Sequence, residues 1–179
     1  DWDLLKHCPV PLLLAKAGEQ KTYRHLMAAV DPSHSRDKPG ELDVEILDTT
    51  TDLATTLKAT PFAAHCCEPL GLELWQTVPV EPMGIDTYIP DRERYLQDLL
   101  ESHRKPFDEL MAPYKLADDH KLLVEGDAKK RLPELVEEHD IDLLVMGTSY
   151  HSGLLGSTVE KILDEVSCDI LAVKVAVPL

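Results

Sequence analysis

The chain has 179 residues, of which 44% are apolar, and a formal net charge of −15. This length accommodates one domain of roughly 150 residues with a core of its own, plus an additional segment. The negative charge argues against a nucleic-acid or acidic-membrane surface, because neutralising phosphate needs clustered Lys and Arg. No apolar run approaches the ~20 residues of a membrane span, and no signal-peptide pattern is present, so we expect a soluble, cytoplasmic protein.

Cysteine spacing gives no sign of a zinc motif or a disulfide framework. None of the cysteines has CxxC or zinc-ligand spacing, and a bridge between the two adjacent ones would be strained. We therefore interpret all four as small, buried apolar side chains in a reducing compartment: Cys8, Cys66, Cys67 and Cys168.

Residues 1–17 have the pattern of the end of a domain. Residues 1–7 are typical of the last turns of a helix, and 12–15 of a short apolar strand preceded by two prolines. A similar order of helix tail, Cys, apolar strand and Lys recurs near the C-terminus in ILDEVSCDILAVK. This weak internal repeat predicts that 1–17 are the last elements of a preceding copy of the same domain. We expect the apolar part to pair with the last strand, since soluble proteins cover such edges.

Strands and helices alternate along the rest of the chain. Apolar runs bounded by turn residues predict buried strands at 23–31, 61–67, 121–125, 141–146 and 170–175. Helical periodicity predicts helices at 41–58, 91–116, 129–139 and directly after Gly156. Alternation of this kind is typical of an α/β fold with a doubly wound, five-stranded parallel sheet. In such sheets, ligands bind beyond the carboxyl ends of the strands, at the switch point.

Three residues outside the predicted strands are interpreted as structural rather than functional. His103 lies on the apolar face of the helix predicted at 91–116, where we expect a hydrogen-bonded core or boundary histidine rather than a metal ligand. The proline-containing connection at 68–91 holds Trp75 and Tyr88, which we interpret as packing residues.

The stretch MGTSYHSGLLGSTVEKIL, at 146–163, joins a strand end, a small-residue loop and a helix start. Ser157 and Glu160 have the spacing of a capping box at the N-terminus of that helix. Free N–H groups and the positive end of the helix dipole favour anions there. The alternative remains open that the glycines and serines serve turn geometry alone.

These residues resemble a known family. VEGDAKKRLPELVEEHDIDLLVMGT and LLGSTVEKILDEVSCDILAVK are similar to the C-terminal half of a universal stress protein domain. The segment DW…LL…CP…P…L…K resembles the one between the two domains of tandem, E-type members. The resemblance implies one complete domain at 22–176, strand order 3-2-1-4-5, and pairing through the last strand with another universal stress domain, either in the same chain or in a homodimer. In one subclass it also implies bound ATP or AMP, with Mg²⁺ only where ATP binds.

The resemblance assigns residues to that nucleotide site. Asp31 would contact ribose or adenine, with Val30 beside it, and Cys66 replaces an aliphatic residue that contacts adenine. The remaining positions close the fourth strand or hold phosphate: Met146, Gly147, Gly156, Ser157 and Thr158.

The loop departs from the pattern of ATP-binding members, which is G-x2-G-x9-G-[ST]. Tyr150 stands where the middle glycine is expected, and only five residues separate it from Gly156, so the loop is short by four. A tyrosine there obstructs the close approach of backbone to phosphate. We therefore expect a degenerate nucleotide site.

The sequence favours a non-catalytic stress-response module that binds a small ligand or a partner domain. The alternative is an adenine-nucleotide-processing enzyme on the same fold, but the SGGxDS and HxGH signatures are absent. His151 is interpreted as an exposed loop residue, and Asp31 is either a metal-nucleotide ligand or a turn former. No catalytic residue and no metal-ligating residue is predicted.

Overall fold

The computed structural model describes residues 5, 8, 10–16, 22–33, 41–69, 92–148 and 157–174, without the side chains of 92 and 157–160. Leu5 is helical and buried, whereas the rest of the predicted helix tail at 1–7 lies outside the described residues. Five residues singled out above also lie outside them: Trp75, Tyr88, Tyr150, His151 and Gly156.

The described chain contains a six-stranded sheet and four α-helices. The strands are β1 (Leu12–Leu14), β2 (His25–Ala29), β3 (Thr60–Cys67), β4 (Lys121–Glu125), β5 (Leu143–Gly147) and β6 (Asp169–Val173). The helices are α1 (Leu42–Leu57), α2 (Arg92–Met111), α3 (Ala128–Glu138) and α4 (Ser157–Glu165), with a single 3-10 turn at Asp118–His120. None of the helices in these ranges is long and apolar enough to cross a membrane.

The strand order is β1-β6-β5-β2-β3-β4. Strands β2 to β6 are parallel to one another and have the predicted order 3-2-1-4-5 when counted from β2. The α/β prediction is confirmed, but the sheet has six strands and is mixed, because β1 joins its edge antiparallel to β6. Leu12 pairs with Ala172 and Leu14 with Ile170, which confirms the pairing expected for this segment.

Two predicted boundaries differ in the structure. The strand predicted at 141–146 begins at Leu143, because Asp140 turns with a positive φ of 49° and the Asp142 carboxylate accepts hydrogen bonds from the backbone of Arg24 and His25. The helix predicted at 91–116 ends at Met111, whose carbonyl accepts the turn hydrogen bond of Tyr114.

Two helical layers cover the sheet. One layer, formed by α1 and α2, packs Ile46 and Phe107 against sheet residues such as Val145. The other, formed by α3 and α4, packs Leu135 and Ile162 against the opposite face. All four cysteines are free thiols. Cys67 and Cys168 are buried, as the sequence predicted, whereas Cys8 and Cys66 are only partly buried.

Asp169, at the start of β6, joins three parts of the fold. Its Oδ1 accepts a 2.8 Å hydrogen bond from the backbone N–H of Lys16, just beyond β1. Its Oδ2 accepts a 2.6 Å bond from the hydroxyl of Tyr23, just before β2. This bond to a carboxylate raises the pKa of Tyr23 to about 12, because it favours the protonated hydroxyl. The buried carboxylate therefore fixes the edge strand to the sheet.

Candidate functional site

The sheet has its switch point between β2 and β5. These strands are parallel neighbours, with Ala29 opposite Met146, and the next strands along the chain, β3 and β6, lie on opposite sides of them. Val30 and Asp31 follow β2 directly, and Met146 and Gly147 end β5. Four of the predicted nucleotide-site residues thus lie together at the carboxyl ends of two neighbouring strands, the position where open α/β sheets bind ligands.

The side chains of the predicted site point to different layers. Val30 packs with the α1 and α2 layer, whereas Met146 and Cys66 pack with the α3 and α4 layer. Cys66 belongs to β3, which is paired with β2. The ligand-binding role of each of these residues remains a prediction.

Asp31 stands at the mouth of the switch point. Its side chain is 43% exposed, and its Oδ1 lies 3.7 Å from Nδ1 of His65. Its backbone N–H donates to Oδ1 of Asp43, in the first turn of α1, at 3.0 Å. The helix therefore holds the backbone of Asp31, while its side chain stays partly exposed although Oδ1 itself is buried.

Gly147 has a packing role that the sequence left open. A Cβ at this position would lie 2.6 Å from Cδ2 of Leu42 and 3.1 Å from Cδ1 of Ile46. Helix α1 can approach β5 this closely only because Gly147 has no side chain.

The phosphate part of the prediction is described only through the helix backbone. Helix α4 begins at Ser157, as predicted, and Ser157 and Thr158 occupy its first turn. The side chains of both residues lie outside the described part of the chain, as does Gly156.

A histidine pair, formed by the buried His65 and the partly buried His103, lies beside Asp31. Nε2 of His65 is 2.8 Å from Nδ1 of His103, which is also 2.9 Å from the hydroxyl oxygen of Ser33. Nδ1 of His65 lies 3.1 Å from the carbonyl oxygen of Val30, to which it donates. The expectation that His103 is a hydrogen-bonded boundary residue is confirmed, but sequence reasoning passed over His65. The available signal was its spacing from Cys67, since two residues apart on a strand share a face.

The chain is similar in sequence to known proteins over most of its length. Residues 22–174 match the family described as the universal stress protein family. The chain belongs to the universal stress protein family. It is 26% identical to the universal stress protein E homolog of Haemophilus influenzae over 180 aligned residues, covering 97% of this chain and 55% of the relative. It is also 31% identical to universal stress protein A homolog 1 of Coxiella burnetii, covering 84% of this chain and 96% of that one.

Solved universal stress proteins share the architecture. A putative universal stress protein from Pseudomonas aeruginosa superposes with a TM-score of 0.71 at 24% identity, covering 97% of this chain and 55% of its own. The universal stress protein UspA of Lactobacillus plantarum superposes with a TM-score of 0.60 at 15% identity, over 86% of this chain and 99% of its own. The chain spans about half the length of the E-type relatives that it matches.

Burial favours the uncharged forms of His65, Cys66 and Cys67 in this universal stress domain. Burial lowers the pKa of His65, against the opposing effects of Asp31 and the Val30 carbonyl. Burial also raises the pKa of Cys67 to about 11 and that of Cys66 to about 12. Near neutral pH, these side chains are therefore an uncharged imidazole and two uncharged thiols.

Two cavities lie away from the switch point. One of about 270 Å³ is at the amino-terminal ends of the strands, where Arg24, Asp142 and Ser167 contribute to its lining. The other, of about 230 Å³, lies beside α1 and is lined in part by Thr51 and Pro61. Neither contains a residue of the predicted nucleotide site.

Proposed function

We propose that this member of the universal stress protein family is a non-catalytic stress-response module that binds ATP or AMP at the switch point between β2 and β5. The observation that supports this most directly is the adjacency of Asp31 and Gly147 at the diverging carboxyl ends of these strands. Helix α4, which starts shortly after β5 in the chain, supplies backbone N–H groups suited to phosphate.

The two charged parts of the site suit different parts of the nucleotide. The Asp31 carboxylate accepts hydrogen bonds, so it suits ribose hydroxyls or the adenine amino group rather than phosphate. The N-terminus of α4 carries partial positive charge and suits phosphate. Because the whole chain has a net charge of −15, Mg²⁺ would assist binding of ATP by reducing the charge of the ligand.

Calorimetry with ATP and AMP tests the proposal. The shortened loop removes one or two amide contacts, worth ~1.5–3 kcal/mol each, so we expect micromolar or weaker dissociation constants. The Asp31→Ala variant should weaken binding about ten-fold or more, because it loses a charge-assisted hydrogen bond. Asp52→Ala, which removes an exposed acid on α1, is the matched control and should bind as the unmodified protein does.

Two outcomes would contradict this proposal. Equal affinities of the Asp31→Ala and Asp52→Ala variants would place the nucleotide elsewhere, and submicromolar affinity would show that the loop is not degenerate. Phosphate release above a buffer blank, abolished by Asp31→Ala, would instead support the enzyme alternative. We expect no such turnover, because the sequence indicates neither a positioned general base nor a dedicated set of metal ligands for hydrolysis.

We also propose that a second universal stress domain, in the same chain or in a homodimer, packs at the β1 edge. The outer side of β6 pairs with β1, so β1 is the strand at that edge of the described sheet. Val10 and Leu13 expose large apolar side chains there. Sedimentation of a Leu13→Asp variant tests the proposal, which predicts weaker self-association or a looser arrangement of the two domains.

A further inference from the structure

Two imidazoles and a thiol converge at the carboxyl end of β3. One ligand atom from each of His65, Cys67 and His103 lies within 4.8 Å of the other two. We propose that these three side chains bind a Zn²⁺ ion. This site goes beyond the proposed nucleotide function and uses a different set of side chains.

The fold presents the three donors from two elements. His65 and Cys67 are two residues apart on β3, so both point to the layer formed by α1 and α2, whereas Cys66 between them points to the opposite layer. Helix α2 carries His103 across this face, where Phe107 of the same helix also stacks near the His65 ring. His65 is 1% exposed and Cys67 is fully buried, so an ion bound to them would be largely shielded from water.

The hydrogen bonds of His65 set it up as a ligand. Its Nδ1 donates to the carbonyl oxygen of Val30 at 3.1 Å, which leaves the lone pair on Nε2. Metal-binding histidines usually donate their second ring nitrogen to a carbonyl or carboxylate in this way, which fixes the tautomer and the ring orientation. The lone pair of His65 then faces Nδ1 of His103.

The two rings meet edge to edge. Their facing nitrogens are 2.8 Å apart and their centroids 5.0 Å apart, a difference of about two ring radii, so the nitrogens lie near the line between the centroids. Without an ion, His103 donates its Nδ1 proton to His65. Two nitrogens bound tetrahedrally to one Zn²⁺ are roughly 3.3 Å apart, so the pair must open by about half an ångström, and the rings must turn so that both lone pairs point at the ion.

The donor set selects the class of ion. Imidazole nitrogen and thiolate sulfur suit Zn²⁺, whereas Mg²⁺ and Ca²⁺ prefer oxygen donors. A fourth position is available to water or to the hydroxyl of Ser33, which already lies 2.9 Å from His103 Nδ1. On binding, the Cys67 thiol loses its proton to solvent and forms a Zn–S bond, while His103 moves its proton from Nδ1 to Nε2.

Titration of the whole chain with Co²⁺ and Zn²⁺, in the absence of nucleotide, tests the proposal. We expect one ion per chain, with a thiolate-to-Co²⁺ charge-transfer band and the visible absorption of a tetrahedral site. Zn²⁺ competition against a chromophoric chelator should show at least ten-fold weaker binding for His103→Gln. Cys67→Ser should lose the charge-transfer band.

Matched variants keep the test decisive. Cys66→Ser changes the neighbouring thiol on the opposite face, and His120→Gln changes a histidine away from the cluster, so both should bind as the unmodified protein does. Circular dichroism establishes that each variant is folded. The proposal is wrong if the unmodified chain binds no stoichiometric Zn²⁺, or if the control variants lose as much affinity as the cluster variants. Because no nucleotide is present, failure here leaves the proposed nucleotide site untouched.

Discussion

Gly147 ends β5 at the proposed nucleotide site, and its missing side chain admits Leu42 of α1. The absence of a side chain at Gly147 therefore has two consequences that the sequence alone cannot separate. Helix α1 can pack closely on β5, and the backbone at the end of β5 stays uncovered. The packing role of Gly147 is independent of any ligand, whereas phosphate approach would use the backbone. Stability measurements without nucleotide isolate the packing role.

A double-mutant cycle at this contact measures that role. Gly147→Ala should lower the free energy of unfolding by about 1–3 kcal/mol, because the new methyl group overlaps Leu42. The same change in a Leu42→Ala background should cost less by about 0.5–3 kcal/mol, since the overlap is relieved. Urea unfolding of the four proteins gives the coupling energy. An equal cost in both backgrounds would mean that the overlap with Leu42 is not what makes Gly147 necessary.

At the residue scale, sequence reasoning was most successful where a residue follows directly from the alternation of elements. Asp31 and Gly147 could be placed at strand ends because each closes an apolar run. The cluster of His65, Cys67 and His103 could not be found in this way, because His103 is 38 positions from His65 in the chain. Only the packing of α2 on β3 brings them together.

At the scale of elements, β1 is a three-residue strand whose side chains alternate between two environments. Leu12 and Leu14 pack against the core beneath α3 and α4, whereas Leu13 is 48% exposed. Its pairing with β6 could be predicted from the sequence, because both segments are apolar and soluble proteins rarely leave such segments exposed to water at a sheet edge. The start of β5 could not be predicted, because Asp142 acts through tertiary hydrogen bonds, and the end of α2 is set by a local turn between Met111 and Tyr114.

Two substitutions compare the effect of a charge at an inward-facing position of β1 with its effect at an exposed one. Leu14→Asp should lower the free energy of unfolding by about 2 kcal/mol or more, because it removes apolar burial and places a charge against the core. Leu13→Asp is the matched control, and at protein concentrations too low for self-association it should change stability by about 0.5 kcal/mol or less. Thermal and urea unfolding measure both. If the two variants are equally stable, β1 does not contribute to the core in solution.

At the scale of the whole molecule, the dominant electrostatic property is the net charge of −15. Self-repulsion of this size opposes the compact state and is screened by salt. The sheet order also belongs to this scale: alternation predicts a parallel sheet, but it leaves the order of strands open, and only the family resemblance supplied 3-2-1-4-5.

Raising NaCl from low to physiological concentration should therefore increase the thermal midpoint. Each ~1 kcal/mol of relieved repulsion corresponds to about 2–4 °C for a chain of this size. Scanning calorimetry at several salt concentrations measures the effect, and KCl at equal ionic strength is the control for specific ion binding. An unchanged or lower midpoint in both salts would show that local ion pairs outweigh the overall repulsion.

Asp169 determines how β1 is attached to the rest of the fold. Lys16 and Tyr23 bind the two oxygens of one carboxylate, so both ends of the connection between β1 and β2 are anchored at the same point. The entropic cost of closing a connection grows only slowly with its length, by about 0.6 kcal/mol for each doubling. Insertions between Lys16 and Tyr23 should then be well tolerated. Docking contacts rather than linker length position this strand, so a separate peptide with the sequence of 8–16 could complete a sheet that lacks it, at a concentration high enough to replace the tether.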